Sequence, residues 1–108
     1  MNQKNNFVYR VFKNEEYKKF KNNNIFEGNK MDFESGFIHL STKDQLKQTI
    51  SNYFNSDDNL VIVELKISDL TNFLRWEVST NNSKFPHFYS KLEFKWVNKV
   101  FSGSELCL

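Results

Sequence analysis

The stretch of residues 36–42, GFIHLST, constrains the fold most, because it predicts a short buried strand that runs directly into a helix. Alternate side chains of an extended chain share a face. One face is apolar, with Ile38 and Leu40, and the other carries Phe37, His39 and Ser41. Ser41 or Thr42 can cap the helix, and Thr42 with Gln45 has the capping-box spacing. His39 is therefore predicted beside a helix N-terminus, where unpaired N–H groups favour an anion such as phosphate.

Length and charge exclude several classes of protein. The 108 residues predict one domain, residues 1–108, long enough to bury a core. A net charge of +2, from 15 basic and 13 acidic residues spread along the chain, is too weak to indicate DNA binding. Cys107 is the only cysteine, so no intrachain disulfide is expected, and no apolar run has the length of a membrane span or a signal peptide. We expect a cytoplasmic protein without a membrane or DNA partner.

Hydrophobic patterns predict an α+β protein with two main helices. The predicted strands are residues 7–12, 25–26, 36–41, 60–67, 74–78, 85–89 and 94–101. The predicted helices are residues 14–22, with Asn14 as the expected N-cap, and 42–54. Residues 60–67 begin apolar on both faces, which is typical of a central strand. The segment 25–35 is ambiguous, since Ile25-Phe26 could form a brief strand while residues 27–30 are polar and include Gly28; a loop here could cover a site. No regular alternation of strand and helix is present, so the class is α+β.

Two charged positions need interpretation before any site is proposed. Arg10 lies on the same strand face as Val8 and Phe12, so we interpret it as an edge position whose guanidinium reaches water, and a ligand contact is the alternative. On residues 74–78 we expect Trp76 and the residues that alternate with it to face the core, which leaves Glu77 on the opposite face.

Polar residues that sit among apolar neighbours come from three separate segments. They are His39, Ser41, Glu77, His87 and Tyr89. Pro86 fixes the backbone between Phe85 and His87, and in an extended chain His87 and Tyr89 share a face. A functional site assembled from strand ends would give this set, and so would a structural cluster of hydrogen bonds.

The same segments carry a resemblance to a known family. Residues 36–41, then Gln45 and Thr49, then Trp76-Glu77, then residues 85–89 resemble the pattern of the bacterial and plant family named domain of unknown function 952. The resemblance covers nearly the whole chain. Two departures occur: Ser90-Lys91 stands where the family usually has Gly-Pro, and Ser35 stands where it often has Asp.

The resemblance implies a fold and a type of ligand. This family is similar to the ADP-ribosyltransferase group, in which small, mostly antiparallel sheets surround a cleft that holds NAD. By chain order Arg10, Ser41-Thr42 and Glu77 are the nearest counterparts of the residues that this group uses. His39 and His87 would then contact phosphate or ribose.

These observations predict a small-molecule site for a nucleotide or ADP-ribose-type phosphate ligand, with NAD or a similar nucleotide as cofactor or substrate. The expected catalytic residues are His39, Glu77 and His87, and the expected ligand-binding residues are Ser41, Thr42, Gln45, Tyr89 and Arg10. The alternative is a binding module without catalysis, for a small ligand or a protein. A two-histidine phosphoesterase is a further alternative, suggested by His39-Leu40-Ser41, but residues 87–89 place a phenol where a small hydroxyl is needed. No metal site is expected, because the two histidines and Glu77 lack a third close ligand at a convincing spacing.

Overall fold

A computed structural model describes residues 6–55, 59–79 and 82–106, and within them two three-stranded antiparallel sheets dominate. The strands are β1 (Phe7–Lys13), β2 (Ile25–Phe26), β3 (Ile38–His39), β4 (Leu60–Lys66), β5 (Leu74–Val78), β6 (Lys84–Phe88), β7 (Leu92–Glu93) and β8 (Val97–Ser102). The helices are α1 (Asn14–Asn23), α2 (Lys30–Ser35), α3 (Leu46–Tyr53) and α4 (Ile67–Leu70). The predicted α+β class is confirmed, with α2 and α4 added as short helices to the two main ones.

The first sheet has the order β1-β4-β8, and its middle strand is the segment predicted to be central. Val8 and Phe12 of β1 enter the larger hydrophobic cluster, whereas Tyr9 and Val11 pack on the opposite face of the sheet. Aromatic rings fill the larger cluster: Phe12 stacks on Phe20 at 5.4 Å between ring centroids. Burial of these rings is the main source of stability on this side of the sheet.

Helix α1 begins as its sequence predicts, although its cap is one residue earlier. The N-cap is Lys13 and not Asn14, since the backbone N–H of Lys13 donates to the Glu16 carboxylate at 3.1 Å. The helix ends at Asn23, and its C-cap Asn24 takes the left-handed conformation with φ 66°. Asparagine tolerates that conformation better than most residues, so the turn into β2 forms there.

The second sheet has the order β3-β6-β5 and is joined to the first by one bridge. Tyr9 N–H donates to Ser41 O at 2.8 Å, and Ser41 N–H donates to Tyr9 O at 2.9 Å. Directly after this bridge Thr42 and Gln45 form the predicted capping box, which starts a 3-10 turn that continues as α3. The strand-to-helix junction predicted at residues 36–42 is therefore confirmed, and it fixes the relation of the two sheets.

Two local predictions were wrong, and one ambiguous segment forms a helix. Residues 30–35 form α2 and not a loop, because Asn29 and Asp32 make a reciprocal capping box. Residues 94–96 form a 3-10 turn, so the last strand begins at Val97. On β5 Trp76 is exposed instead of facing the core: β5 is the outer strand of its sheet, and on this face Leu74 packs against the larger hydrophobic cluster while Trp76 and Val78 are exposed. Cys107 lies outside the described residues.

None of the helices within residues 6–55, 59–79 and 82–106 is long and apolar enough to cross a membrane.

Candidate functional site

Asp32 and His39 form the first of two carboxylate–histidine pairs. Asp32 lies on α2 and His39 on β3, and the left-handed Gly36, with φ 89°, turns the chain between them. His39 Nδ1 lies 2.7 Å from Asp32 Oδ1, and the His39 backbone N–H donates to the same oxygen at 3.1 Å. The other carboxylate oxygen accepts the backbone N–H of Asn29 at 2.7 Å. The carboxylate is thus held by the ring and by the backbone on both sides of it.

Arg10 completes this pair, and the interpretation of Arg10 as a water-exposed edge residue was wrong. β1 does lie at the edge of its sheet, but Arg10 is only 5% exposed. Its two Nη atoms each lie 3.0 Å from one oxygen of Asp32, and Nη1 also donates to His39 O at 3.0 Å. The guanidinium lies over the Phe26 ring, 4.8 Å from its centroid. The reason is that Asp32, from a segment that is ambiguous in the sequence, supplies a buried counter-charge.

The charge state of Asp32 follows from these contacts. Burial alone would raise the pKa of Asp32, but the hydrogen bond with His39 and the Arg10 guanidinium outweigh burial and lower the pKa to about 2. The carboxylate is therefore ionised at neutral pH and can only accept hydrogen bonds. His39 Nδ1 therefore carries the proton of its hydrogen bond with Asp32, and Nε2 is the ring nitrogen that Asp32 does not engage.

Glu77 and His87 form the second pair, across the β5–β6 ladder. His87 Nδ1 lies 2.7 Å from Glu77 Oε1, and the Tyr89 hydroxyl donates to the same oxygen at 2.7 Å. Phe37 stacks on the His87 ring with 3.9 Å between centroids and 20° between planes. The prediction that His87 and Tyr89 share a face is confirmed, because both side chains contact the same Glu77 oxygen.

The pKa values in this pair shift in the directions that its contacts require. The hydrogen bonds from Tyr89 and His87 lower the pKa of Glu77, and the bond to Glu77 raises the pKa of Tyr89. Burial lowers the pKa of His87, Glu77 opposes that shift, and the nearby His39 adds to it. His87 is thus held as a neutral imidazole at neutral pH, with Nδ1–H toward Glu77 and Nε2 as a proton acceptor.

The two histidines line one cavity of about 250 Å³ between the sheets and α3. Their ring centroids are 5.9 Å apart, with 66° between the ring planes. Ser41 and Thr49 lie on the same wall, with 2.7 Å between their hydroxyl oxygens. Residues 29, 31 and 32 also line the cavity, so the segment that could have covered a site as a loop forms part of its wall as α2.

The other predicted site residues divide into three groups. Arg10 lines the cavity, but its guanidinium forms a salt bridge with Asp32. Glu77 and Tyr89 do not line this cavity and reach it only through His87. Thr42 and Gln45 cap the helix start, and Gln45 Nε2 donates to Lys84 O at 2.8 Å, away from the cavity. The helix N-terminus expected to attract an anion is therefore satisfied by its own cap.

Two residues of the site were not identified from the sequence as site residues. The sequence pattern does not single out Asp32, because its segment shows no hydrophobic period, although Asn29 and Asp32 have capping-box spacing and Gly36 marks a helix end. Phe37 was treated as a strand residue, yet its ring contacts both histidines, at 3.9 Å from His87 and 4.6 Å from His39.

The arrangement is suited to proton transfer. Two imidazoles, each oriented by a carboxylate at Nδ1, present Nε2 as the nitrogen not engaged by that carboxylate. Among the residues that the structure describes, no group of three or more His, Cys, Asp or Glu side chains is arranged to hold a metal ion.

Comparison with solved structures shows a close fold match. The crystal structure of protein CC0527 from Caulobacter crescentus matches with a TM-score of 0.85 and 29% identity, covering 94% of this chain and 99% of that chain. A double mutant of CC0527 gives the same values. The solution NMR structure of CC0527 matches with a TM-score of 0.79 and 31% identity, covering 89% of this chain and 83% of that chain.

No curated protein matches the chain. Residues 11–100 match a family described as "Protein of unknown function (DUF952)". That span includes both histidines, both carboxylates and the segments at 36–41 and 85–89 that resemble this family. The chain belongs to the DUF952 family.

Proposed function

We propose that this chain binds a nucleotide or ADP-ribose-type phosphate ligand in the cytoplasm and acts on it by transfer or hydrolysis, with His39 and His87 as the proton-transfer pair. The observation that carries this proposal is that two carboxylate-oriented imidazoles lie 5.9 Å apart on one cavity. A structural cluster needs no such pair on a cavity wall, whereas general acid–base catalysis needs an acid and a base near one bond.

The chemistry of the cavity wall supports a nucleotide-type ligand. One part is polar, with both histidines and the Ser41–Thr49 hydroxyl pair. Another part is aromatic, with Tyr53, Phe54 and Phe85, on which a base could stack. Ligand pockets commonly have volumes of roughly 300–1,000 Å³. A cavity of about 250 Å³ therefore limits the enclosed part of an ADP-ribose-type ligand to no more than one nucleotide half.

The burial and hydrogen bonds of the two carboxylate–histidine pairs assign the proposed proton-transfer steps. His87 is the base, because burial favours its neutral form and Glu77 holds its Nδ1–H. Nε2 of His87 takes a proton from the attacking water or hydroxyl, whose oxygen forms a bond to phosphorus or to the ribose carbon. As the bond to the leaving group breaks, His39, which enters the step as an imidazolium with Nδ1–H held by Asp32, donates its Nε2 proton to the departing oxygen or nitrogen. After this step His87 carries the extra proton and His39 is neutral, and proton exchange with water returns each ring to its starting form.

The likeness to the ADP-ribosyltransferase group is part of this proposal. It is supported by two small antiparallel sheets that meet at a cleft. The contacts favour a positioning role for Glu77, which reaches the cavity through His87, and the same role for Arg10, which fixes Asp32.

Binding can be tested with NMR, because the chain contains only two histidines and their ring C–H signals report on both pairs. The probes are AMP, ADP-ribose, NAD and 2',3'-cyclic AMP. We expect both ring signals to move with at least one probe, together with a rise in Tm. The exposed Lys19→Ala variant on α1 is the control and should bind unchanged. No movement of either signal and no rise in Tm with all four probes contradicts the proposal.

Turnover is tested separately by phosphorus NMR on the probe that binds. His87→Gln and His39→Gln, checked for folding by circular dichroism, should each lower the rate by about 100-fold or more. Cleavage of the cyclic nucleotide alone would identify phosphodiester chemistry, as in the two-histidine alternative. An unchanged rate in both variants would contradict the proton-transfer role of the two histidines.

A binding module without turnover is the second candidate. The observation that favours it is the Asp32 network, most of whose hydrogen bonds go to backbone groups and to Arg10 and therefore also shape the cavity wall. Binding that depends on both histidines, with no product from any probe, would select this candidate.

A further inference from the structure

The outer edge of β5 is open to another strand. β5 pairs with β6 on one side, and in the described residues no strand pairs with its other side. Tyr89 N–H donates to Phe73 O at 2.9 Å and Ser79 N–H to Ser83 O at 2.8 Å, so the odd-numbered residues of this segment bond toward β6. Backbone groups alternate in direction along an antiparallel strand. The N–H and C=O groups of Leu74, Trp76 and Val78 therefore point outward, toward the open edge.

The two faces of this edge strand differ: one carries the charges of Arg75 and Glu77, and the other is apolar and partly exposed. Trp76 is 39% exposed and Val78 is 60% exposed. Natural edge strands are commonly protected by a proline, an added charge or a bulge. Pro86 gives no such protection, because it lies on β6, opposite Trp76. The open edge of β5 thus combines unpaired backbone groups with apolar side chains.

The sequence of β5 is complementary to itself in the antiparallel direction. The order Leu74, Arg75, Trp76, Glu77, Val78 reads apolar, positive, aromatic, negative, apolar. A two-fold axis at Trp76 places Arg75 opposite Glu77 of a second copy, and Leu74 opposite Val78 of that copy. An axis at Arg75 or at Glu77 would instead place like charges opposite each other, which is destabilising. Charge therefore selects one register out of the three.

Backbone geometry agrees with that register. The outward backbone groups belong to residues 74, 76 and 78, so the axis at Trp76 makes Trp76 a hydrogen-bonded pair with its own copy. Residues 75 and 77 then form non-hydrogen-bonded pairs, in which opposite side chains lie closest. The oppositely charged side chains occupy the positions where their attraction is largest.

We propose that β5 is an interface at which two copies of this chain pair edge to edge, so that β3-β6-β5 becomes one six-stranded sheet. The pairing brings Arg75 of the second copy next to Glu77. In the described residues both hydrogen bonds to Glu77 end on Oε1, which leaves Oε2 for that guanidinium. The second copy thus adds a residue to the carboxylate that orients His87. The inference stands on the edge itself and does not depend on the proposed ligand.

The charge pairing can be tested by reversing it. Sedimentation velocity over a concentration series should show a weak, reversible dimer, as expected for a small interface. Arg75→Glu places a carboxylate opposite Glu77 of the second copy twice in each dimer, and should weaken association by about tenfold or more. The double variant Arg75→Glu with Glu77→Arg restores opposite charges and should dimerise again. Lys19→Glu makes the same change in net charge on α1 and should dimerise as the wild type does.

A cross-link tests the register independently. Hydrogen-bonded antiparallel pairs have Cα atoms about 5.5 Å apart, and disulfides span about 4.4–6.8 Å. In a Cys107→Ser background, Trp76→Cys should therefore give a disulfide-linked dimer on mild oxidation. The control is Val100→Cys, which changes an exposed valine on β8 and should stay monomeric. A monomeric wild type at every concentration, a dimer unaffected by Arg75→Glu, or equal cross-linking of the two cysteine variants would each overturn the proposal.

Discussion

The two carboxylate–histidine pairs have the same hydrogen bond, but the carboxylate is the buried member of one pair and the histidine is the buried member of the other. In each pair Nδ1 lies 2.7 Å from a carboxylate oxygen. The Asp32 side chain is 2% exposed and its partner His39 is 31% exposed, whereas the Glu77 side chain is 39% exposed and its partner His87 is 6% exposed. One pair fixes the anion and leaves the ring accessible, and the other fixes the ring and leaves the anion accessible.

This difference gives the two carboxylates different roles: Asp32 stabilises the fold, and Glu77 sets the pKa of its histidine. Asp32 interacts with Arg10, His39 and the backbone in a region shielded from water, where removal of a charge is costly. Glu77 interacts with its partners where solvent screens charge, so changes there alter the pKa of His87 with little effect on the fold. Substitutions that remove each carboxylate should therefore have unequal effects.

The largest effect is expected for Asp32→Asn. The neutral amide leaves the Arg10 guanidinium buried without its counter-charge, and breaking a buried pair in this way costs about 3–5 kcal/mol. Urea unfolding should show this loss, and Glu77→Gln should lose far less. Adding Arg10→Met to Asp32→Asn should recover part of the stability, because the unpaired charge is then removed. Equal losses in the two single variants would contradict the contrast between the pairs.

A smaller effect concerns acid stability. The pKa of Asp32 is lowered from 3.8 to about 2 by folding, so the folded state binds fewer protons than the unfolded state between these values. The ionised Asp32 therefore adds about 2 kcal/mol to the free energy of unfolding. This contribution is fully present above about pH 4 and is lost as the pH falls to about 2. The free energy of unfolding, measured against pH, should fall more steeply for the wild type than for Asp32→Asn. Parallel curves would mean that Asp32 titrates normally.

How far the sequence predicts this molecule depends on the range of the interactions. The strands at 7–13 and 74–78 follow from alternation, and the central strand at 60–66 follows from its apolar, β-branched start. The Thr42–Gln45 capping box follows from local spacing. The shared face of His87 and Tyr89 follows from extended geometry alone. These features depend on neighbours in the chain and were predicted correctly.

The wrong predictions concern residues whose environment is set by a partner that is distant in the sequence. Arg10 finds its counter-charge 22 residues away, on a six-residue helix too short to show a hydrophobic period. Which face of β5 is buried depends on what packs over the sheet, and that is set by the whole fold. The Asp32–His39 pair could be found from sequence only by recognising the capping box at Asn29 first.

The contrast predicts a change in titration for Glu77→Gln. Burial lowers the pKa of His87 and the Glu77 charge opposes this, so removal of that charge should lower the pKa of His87 further. The ring C–H signal followed against pH measures the shift, and any catalytic pH profile that depends on His87 as base should extend to lower pH. Glu93→Gln is a matched control, because Glu93 has a similarly exposed side chain and pairs with Lys95 at 3.3 Å. A rise in the pKa of His87 would contradict the proposed coupling.

The smallest effect is expected for Tyr89→Phe, which removes only the hydroxyl that donates to Glu77 at 2.7 Å. That hydrogen bond is the largest cause of the lowered pKa of Glu77, so the pKa should rise toward its usual value and stay somewhat lowered by His87. The Glu77 carboxyl carbon signal, titrated by NMR, measures the change, and Tyr53→Phe serves as the exposed control. Stability should change little, because the pair is exposed to solvent. If the pKa of Glu77 does not move, its lowered value comes from His87 alone, and the accessible carboxylate has one functional partner instead of two.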